Sequence, residues 1–188
     1  MIVNIRGTSG SGKTTAARAL FSLAGRVALY DAPRGASPLA GRRPSAYQLG
    51  LQPAYLVGSY ETECGGCDTI KTQELVCERV ATYAALGHVV FEGLLVSTLY
   101  ERYARLARSV APTHPFVWAF LDTPLDECLR HVAERRCARG DLRPLDPTNT
   151  TAKWHLMRRL YAKCQAAGLD ARWVPWETAG EEIWSWLK

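Results

Sequence analysis

The stretch RGTSGSGKTT, starting at Arg6, limits this chain more than any other feature. It lies between the apolar run MIVNI and a stretch of helix formers, and Gly7, Gly12, Lys13 and Thr14 fit the phosphate-binding pattern G-x-x-x-x-G-K-[ST]. A glycine-rich turn from a strand into a helix exposes successive backbone N–H groups, and the helix N-terminus adds positive potential. Gly7, Thr8, Ser9, Gly10, Ser11, Gly12, Lys13, Thr14 and Thr15 are therefore expected to hold a nucleoside triphosphate. Lys13 is expected to reach the β/γ oxygens, and Thr14 to offer its hydroxyl to Mg²⁺.

Apolar runs of strand length recur along the chain: MIVNI (from Met1), VALYD (from Val27), HVVFEGLL (from His88), PFVWAFLD (from Pro115) and ARWVPW (from Ala171). Helical patterns separate them, which predicts an α/β fold with a parallel sheet and helices on both faces. AYLVG, from Ala54, is a further short strand or only an extended loop. Helices are expected over Lys13–Leu23, Gln73–Leu86 and Ser97–Val110, and from DTPLDECLRHVAERRCARG onward. In that last segment Thr123 suits a cap, Pro124 the first turn and Asp126 a capping-box acid. Two stretches read as loops: APRGASPLAGRRPSAYQLG from Ala32 and RGDLRPLDPTNT from Arg139.

With 188 residues, 47% hydrophobic and 22% charged, the chain suits one ordinary domain, residues 1–188. No apolar run approaches a membrane span and MIVNI lacks the run of a signal peptide, so the default location is cytoplasmic. The 23 Lys+Arg against 18 Asp+Glu, formally +5, favour anionic partners. The six cysteines are scattered and read as reduced thiols. Cys64–Gly65–Gly66–Cys67 lacks a second C-x-x-C, so its glycines are read as a sharp turn that approaches a ligand. Trp173, Trp176, Trp184 and Trp186 are read mainly as core closure.

The fate of the γ-phosphate depends on the residues facing the loop. Arg130, Arg135, Arg136 and Arg139 stand close together on one helix, and spacings of three and four let at least two guanidiniums point the same way to neutralise a phosphoryl group in flight. Pairing with Asp126, Glu127 and Glu134 on a solvated face is the competing reading. Carboxylates at the C-terminal ends of parallel strands are candidate bases. Asp31 ends the second strand, and Glu92 ends the third and is also a candidate for orienting Mg²⁺. Asp68 is a third carboxylate, or the start of the next helix.

GTSGSGKTT, VVFEG and DTPLDECLRHVAERR, in that order, resemble nucleoside-monophosphate-kinase-like P-loop kinases over nearly the whole chain. The resemblance implies a P-loop NTPase three-layer sandwich with a five-stranded parallel sheet of order 2-3-1-4-5. It also implies a thymidylate-kinase-type arginine-bearing lid over about 124–150. GSYETECGGCDTIKTQELVCERV followed by GHVVFEGLLVS is similar to the bacteriophage 5-hydroxymethyluracil DNA kinases. That likeness implies ATP-dependent phosphorylation of the hydroxymethyl group of 5-hydroxymethyldeoxyuridine in DNA, a step in phage thymidine hypermodification, in the host cytoplasm.

On that reading the segment from Ala54 to Thr69, which includes Asp68, forms the acceptor pocket. An extruded base would stack on Tyr55, Tyr60 or Tyr47 over Gly65 and Gly66. Arg34, Arg42 and Arg43, with Lys153, Arg158, Arg159 and Lys163, would track DNA phosphates. The EG of Glu92–Gly93 departs from the D-R pair of typical thymidylate kinases and disfavours a free deoxynucleoside or deoxynucleotide kinase. That activity, a polynucleotide 5′-kinase and an acceptor-free ATPase are the alternatives.

Overall fold

The computed structural model describes residues 1–31, 43–62 and 64–188. Seven strands form one mixed sheet: β1 (Ile2–Arg6), β2 (Arg26–Leu29), β3 (Ala46–Leu49), β4 (Ala54–Val57), β5 (His88–Glu92), β6 (Phe116–Leu121) and β7 (Asp170–Val174). Their spatial order is β2-β3-β4-β5-β1-β6-β7. β4, β5, β1, β6 and β7 pair in parallel, whereas β3 is antiparallel to both its neighbours.

The expected five-stranded parallel sheet is corrected on this point. The Val27 run lies at the sheet edge, separated from β5 by two strands, and the short run at Ala54 takes the place beside β5. The physical difference is burial. Strands inside a parallel sheet are covered on both faces, and β1 and β6 are buried at every residue, but Arg26 and Val27 of β2 are exposed. A four-residue apolar run does not by itself distinguish an edge from a centre.

Alternating side chains of the central strands serve two cores. Val3, Ile5 and Val117 pack with Ala17 and Leu20 of α1 (Lys13–Ala24) and Ile183 of α7 (Ala179–Trp186). Ile2, Phe91, Trp118 and Phe120 face α2 (Gln73–Ala84), α4 (Tyr100–Val110) and α6 (Thr148–Ala166) through Val80, Tyr103 and Leu160. The helix expected over Ser97–Val110 is divided at Leu99 into α3 (Leu94–Thr98) and α4.

α5 (Leu125–Ala138) follows β6, and no side chain caps it. Thr123, expected as its cap, instead donates its hydroxyl to Ser11 O at 2.8 Å. Because β5 and β6 flank β1 on opposite sides, the chain after β1 emerges where the strand order reverses, the usual position of a ligand crevice in an open α/β sheet.

Candidate active site

The loop after β1 reaches α1 through two left-handed glycines, Gly10 at φ 78° and Gly12 at φ 88°, and Gly12 is the N-cap of α1. A side chain at Gly10 would meet the backbone of Cys128, so this position needs both the conformation and the space that glycine provides. Three of the loop's carbonyls accept from side chains. Lys13 Nζ donates to Gly7 O at 3.0 Å and Thr8 O at 2.8 Å, and His131 Nδ1 donates to Gly10 O at 2.8 Å. At the loop's start Gly7 N donates to Ser97 Oγ at 3.3 Å, and Arg6 Nη1 donates to Ser97 O at 2.9 Å. Arg6 is fully buried over the Trp118 ring at 4.0 Å, and burial pushes its guanidinium down to about 9.

A cavity of about 590 Å³ opens in front of this loop. Ser9, Gly10, Ser11, Gly12, Lys13, Thr14 and Thr15 line its base, joined by Glu92, Asp68, Gly65 and Arg135. Thr14 Oγ1 donates to Glu92 Oε1 at 3.1 Å. Glu92 is 1% exposed, and burial pushes its carboxyl up to about 7 although the nearby Lys13 opposes the rise. Burial lowers Lys13, against the pull of Glu92 and Asp68. Asp68 accepts from Leu94 N at 2.7 Å, so it caps α3 while facing the cavity.

The glycines of the CGGC stretch press backbone against a side chain. Gly66, at φ 75°, lies so close to the Glu92 carboxylate that an added Cβ would collide with Oε1. Cys67 turns into the core, its Sγ 3.7 Å from Val57 O, and Cys64 is exposed beside Arg139, whose Nη2 lies 3.1 Å from Cys64 Sγ.

Other expected site residues lie elsewhere. Asp31 is exposed and paired with Arg79 of α2, because its strand is the sheet edge rather than a neighbour of β5. Tyr47 and Tyr60 are core residues packed with Phe21, so neither presents an open ring face, and Tyr55 is half-buried with one ring face stacked on Tyr83 at 4.9 Å. Gly7 and Thr8 lie behind the cavity, and Gly66 backs Glu92. Arg34 and Arg42 are outside the described residues.

The four arginines of α5 and its C-terminal end separate by partner. Arg130 pairs with Glu127 and with Glu134, the latter at 2.6 Å. Arg136 holds Asp141 at 2.9 Å, and Arg139 contacts Cys64. Arg135 lines the cavity and has no hydrogen bond or ion pair among the described residues.

Several cavity residues escaped the sequence reading, Arg18, His131 and Trp176 among them. Arg18, one turn beyond Thr14, lines the cavity and donates to Tyr60 O at 3.2 Å; its i+4 spacing from the loop was the available signal. His131 and Trp176 form an edge-to-face pair with centroids 5.2 Å apart at the cavity wall. Nothing local in the sequence distinguishes Trp176 from the other C-terminal tryptophans.

Thr14 and Glu92 offer two hard oxygen donors side by side. No group of three or more His, Cys, Asp or Glu suited to a metal occurs among the described residues. Two such oxygens opening on the cavity are a donor set that suits an ion such as Mg²⁺, which takes most of its ligands from water and phosphate. No described helix is long and apolar enough to cross a membrane.

No protein-family model matches the chain. It is 39% identical over 173 residues to a 5-hmdU DNA kinase of Pseudomonas phage PaMx11, covering 89% of this chain and 87% of that one. It is 31% identical to a 5-hmdU DNA kinase of Pseudomonas phage M6, covering 96% and 94%. A third 5-hmdU DNA kinase, from Delftia phage PhiW-14, is 28% identical over 89% of this chain and 65% of its own. Among solved structures, deoxyadenosine kinase from M. mycoides with bound dATP aligns at a TM-score of 0.44 with 14% identity, over 100% of this chain and 99% of that one.

Proposed function

The chain belongs to the 5-hmdU DNA kinase family, and on that premise we propose that it transfers the γ-phosphate of ATP to the hydroxymethyl group of 5-hydroxymethyldeoxyuridine in DNA. The observation that carries this reading is the meeting of Lys13, Thr14 and Glu92 at the base of one cavity that Arg135 also lines. The first two residues are suited to a triphosphate, Glu92 to an acceptor hydroxyl, and Arg135 to charge developing between them.

The triphosphate lies along the P-loop, with Lys13 turning from its own loop carbonyls to the β/γ oxygens. His131 and Trp176 supply an aromatic wall next to Gly12 for the donor base. Glu92 takes the proton of the acceptor hydroxyl as its oxygen attacks the γ-phosphorus and the bond to the β-phosphate oxygen breaks, releasing ADP. A carboxyl held near 7 is matched to that transfer at neutral pH. Mg²⁺, when bound beside Thr14 and Glu92, supplies neutralisation of phosphate charge. Arg135 stabilises the charge of the transferred group.

Gly65 and Asp68 form the acceptor wall beside Glu92, and the base enters the cavity by extrusion from the duplex. Lys153 and Arg159 on α6 are the candidate phosphate contacts. Incubating a 5-hydroxymethyluracil duplex with the protein and Mg-ATP, then digesting it to nucleosides for mass analysis, tests the reading. A nucleoside phosphorylated on its base is expected; unmodified 5-hydroxymethyldeoxyuridine alone contradicts it.

A further inference from the structure

The corner between β6 and α5 holds the P-loop through side-chain contacts that the phosphate-binding motif does not include. Thr123, 2% exposed, donates its hydroxyl to Ser11 O at 2.8 Å. Its own carbonyl accepts from Trp154 Nε1 of α6 at 2.9 Å. A second contact comes from the same helix, where Thr8 Oγ1 donates to Thr150 O at 3.2 Å. The loop is thus fastened on the side away from the cavity, to β6 and to the first turns of α6.

One of these contacts bears directly on ligand binding. A trans peptide points its C=O and its N–H in opposite directions. Holding Ser11 O from behind therefore fixes the Gly12 N–H toward the cavity that Gly12 lines. The neighbouring peptides are held by Ser11 N donating to Thr8 O at 3.3 Å and Ala16 N donating to Gly12 O at 2.8 Å, while the Ser11 carbonyl itself is held by Thr123, and Gly12 adds no side chain to restrain it.

We propose that Thr123 is a positioning residue for nucleotide binding: by holding the Ser11 carbonyl it aims the Gly12 N–H at the phosphates. Preorganised N–H donors cost no reorganisation when the anion arrives, and a freely rotating peptide forfeits that advantage. The inference rests on the proposed nucleotide role of the loop and extends it to a residue outside the motif.

The test is ATP binding by calorimetry, with and without Mg²⁺ and with no acceptor, on wild type, Thr123→Val and Thr123→Ser. Affinity for a 5-hydroxymethyluracil duplex is measured on the same samples. Thr123→Val keeps the side chain's shape and removes the donor, whereas Thr123→Ser keeps the donor. Thr123→Val is expected to weaken ATP binding about tenfold, the scale of one well-placed buried hydrogen bond. Duplex affinity should stay within about twofold and Thr123→Ser should restore ATP binding, a pattern that simple loss of packing does not produce.

If the valine variant does not fold, Thr123→Ala, which sets no new methyl against Ser11 O, is expected to show the same selective loss. Wild-type ATP affinity in the folded donor-less variant, or equal loss in the serine variant, overturns the inference while leaving the proposed function standing. Absence of ATP binding in wild type overturns both.

Discussion

The Thr14 hydroxyl donates to Glu92 Oε1 at 3.1 Å, so the first turn of α1 and the end of β5 meet at one carboxylate. Folding raises this carboxyl from 4.5 to about 7 through burial. The folded state then binds its proton more tightly than the unfolded state does, and stability falls as pH rises from about 4.5 to about 7, by up to about 3 kcal/mol in all. Glu92→Gln is expected to be more stable than wild type at pH 8 by up to that amount, indistinguishable near pH 4, and at least about 100-fold slower in phosphoryl transfer. Urea unfolding at the two pH values and initial-rate kinetics check this. Wild-type activity should rise with pH as the raised Glu92 carboxyl ionises, with bound Mg²⁺ moving the midpoint below 7.

Arg135 and Arg130 belong to the same helix but differ in surroundings. Arg130 is half exposed and paired with two glutamates of its own helix, whereas Arg135 lines the cavity. Arg135→Ala is expected to lower kcat by about 100-fold with little change in stability. Arg130→Ala should leave kcat within about twofold, since exposed pairs on a helix surface contribute little. Steady-state kinetics on the two variants decide, and equal losses would refute the separate roles.

Gly66 lies against Glu92 in a left-handed conformation, with space for no Cβ. Gly66→Ala should destabilise the protein by at least about 2 kcal/mol, through backbone strain and displacement of Glu92. In a chain of this size that lowers Tm by roughly 4–8 °C. Gly168→Ala, also at positive φ but with nothing around the added methyl, isolates the strain from the collision and should cost less in a thermal melt.

On α6, Arg158 is tied to Asp122 at 3.3 Å and Lys163 to Glu101 at 2.7 Å. Lys153 and Arg159 have no ion pair among the described residues. Replacing both by Ala should weaken duplex binding and reduce the slope of log K against log salt by about 0.9 for each DNA phosphate left without its cation. The binding isotherm at three salt concentrations tests this, and an unchanged slope removes these residues from the DNA surface.

The part of the cavity nearest the loop after β1 is legible in the sequence because its residues are consecutive. Consecutive residues from Ser9 to Thr15 line the cavity, and Glu92 ends a strand next to β1. Asp31 was misplaced because its apolar run looks the same at an edge as at a centre, and pairing partners are set by tertiary packing. Thr123 read as a helix cap because Ser and Thr before a helix usually serve that role. Its partner is 112 residues away, beyond any local pattern. The tyrosines drew a stacking role that the folded chain uses for packing against Phe21 and Tyr83.

The central claim concerns the acceptor, and transfer of γ-labelled phosphate from Mg-ATP to four matched acceptors addresses it most directly. These are a duplex with 5-hydroxymethyluracil, the same duplex with thymine, a 5′-hydroxyl oligonucleotide and free 5-hydroxymethyldeoxyuridine monophosphate. The account predicts label in the hydroxymethylated duplex alone, lost with Glu92→Gln. Label confined to the free nucleotide, or at the 5′ end of the oligonucleotide, would contradict it.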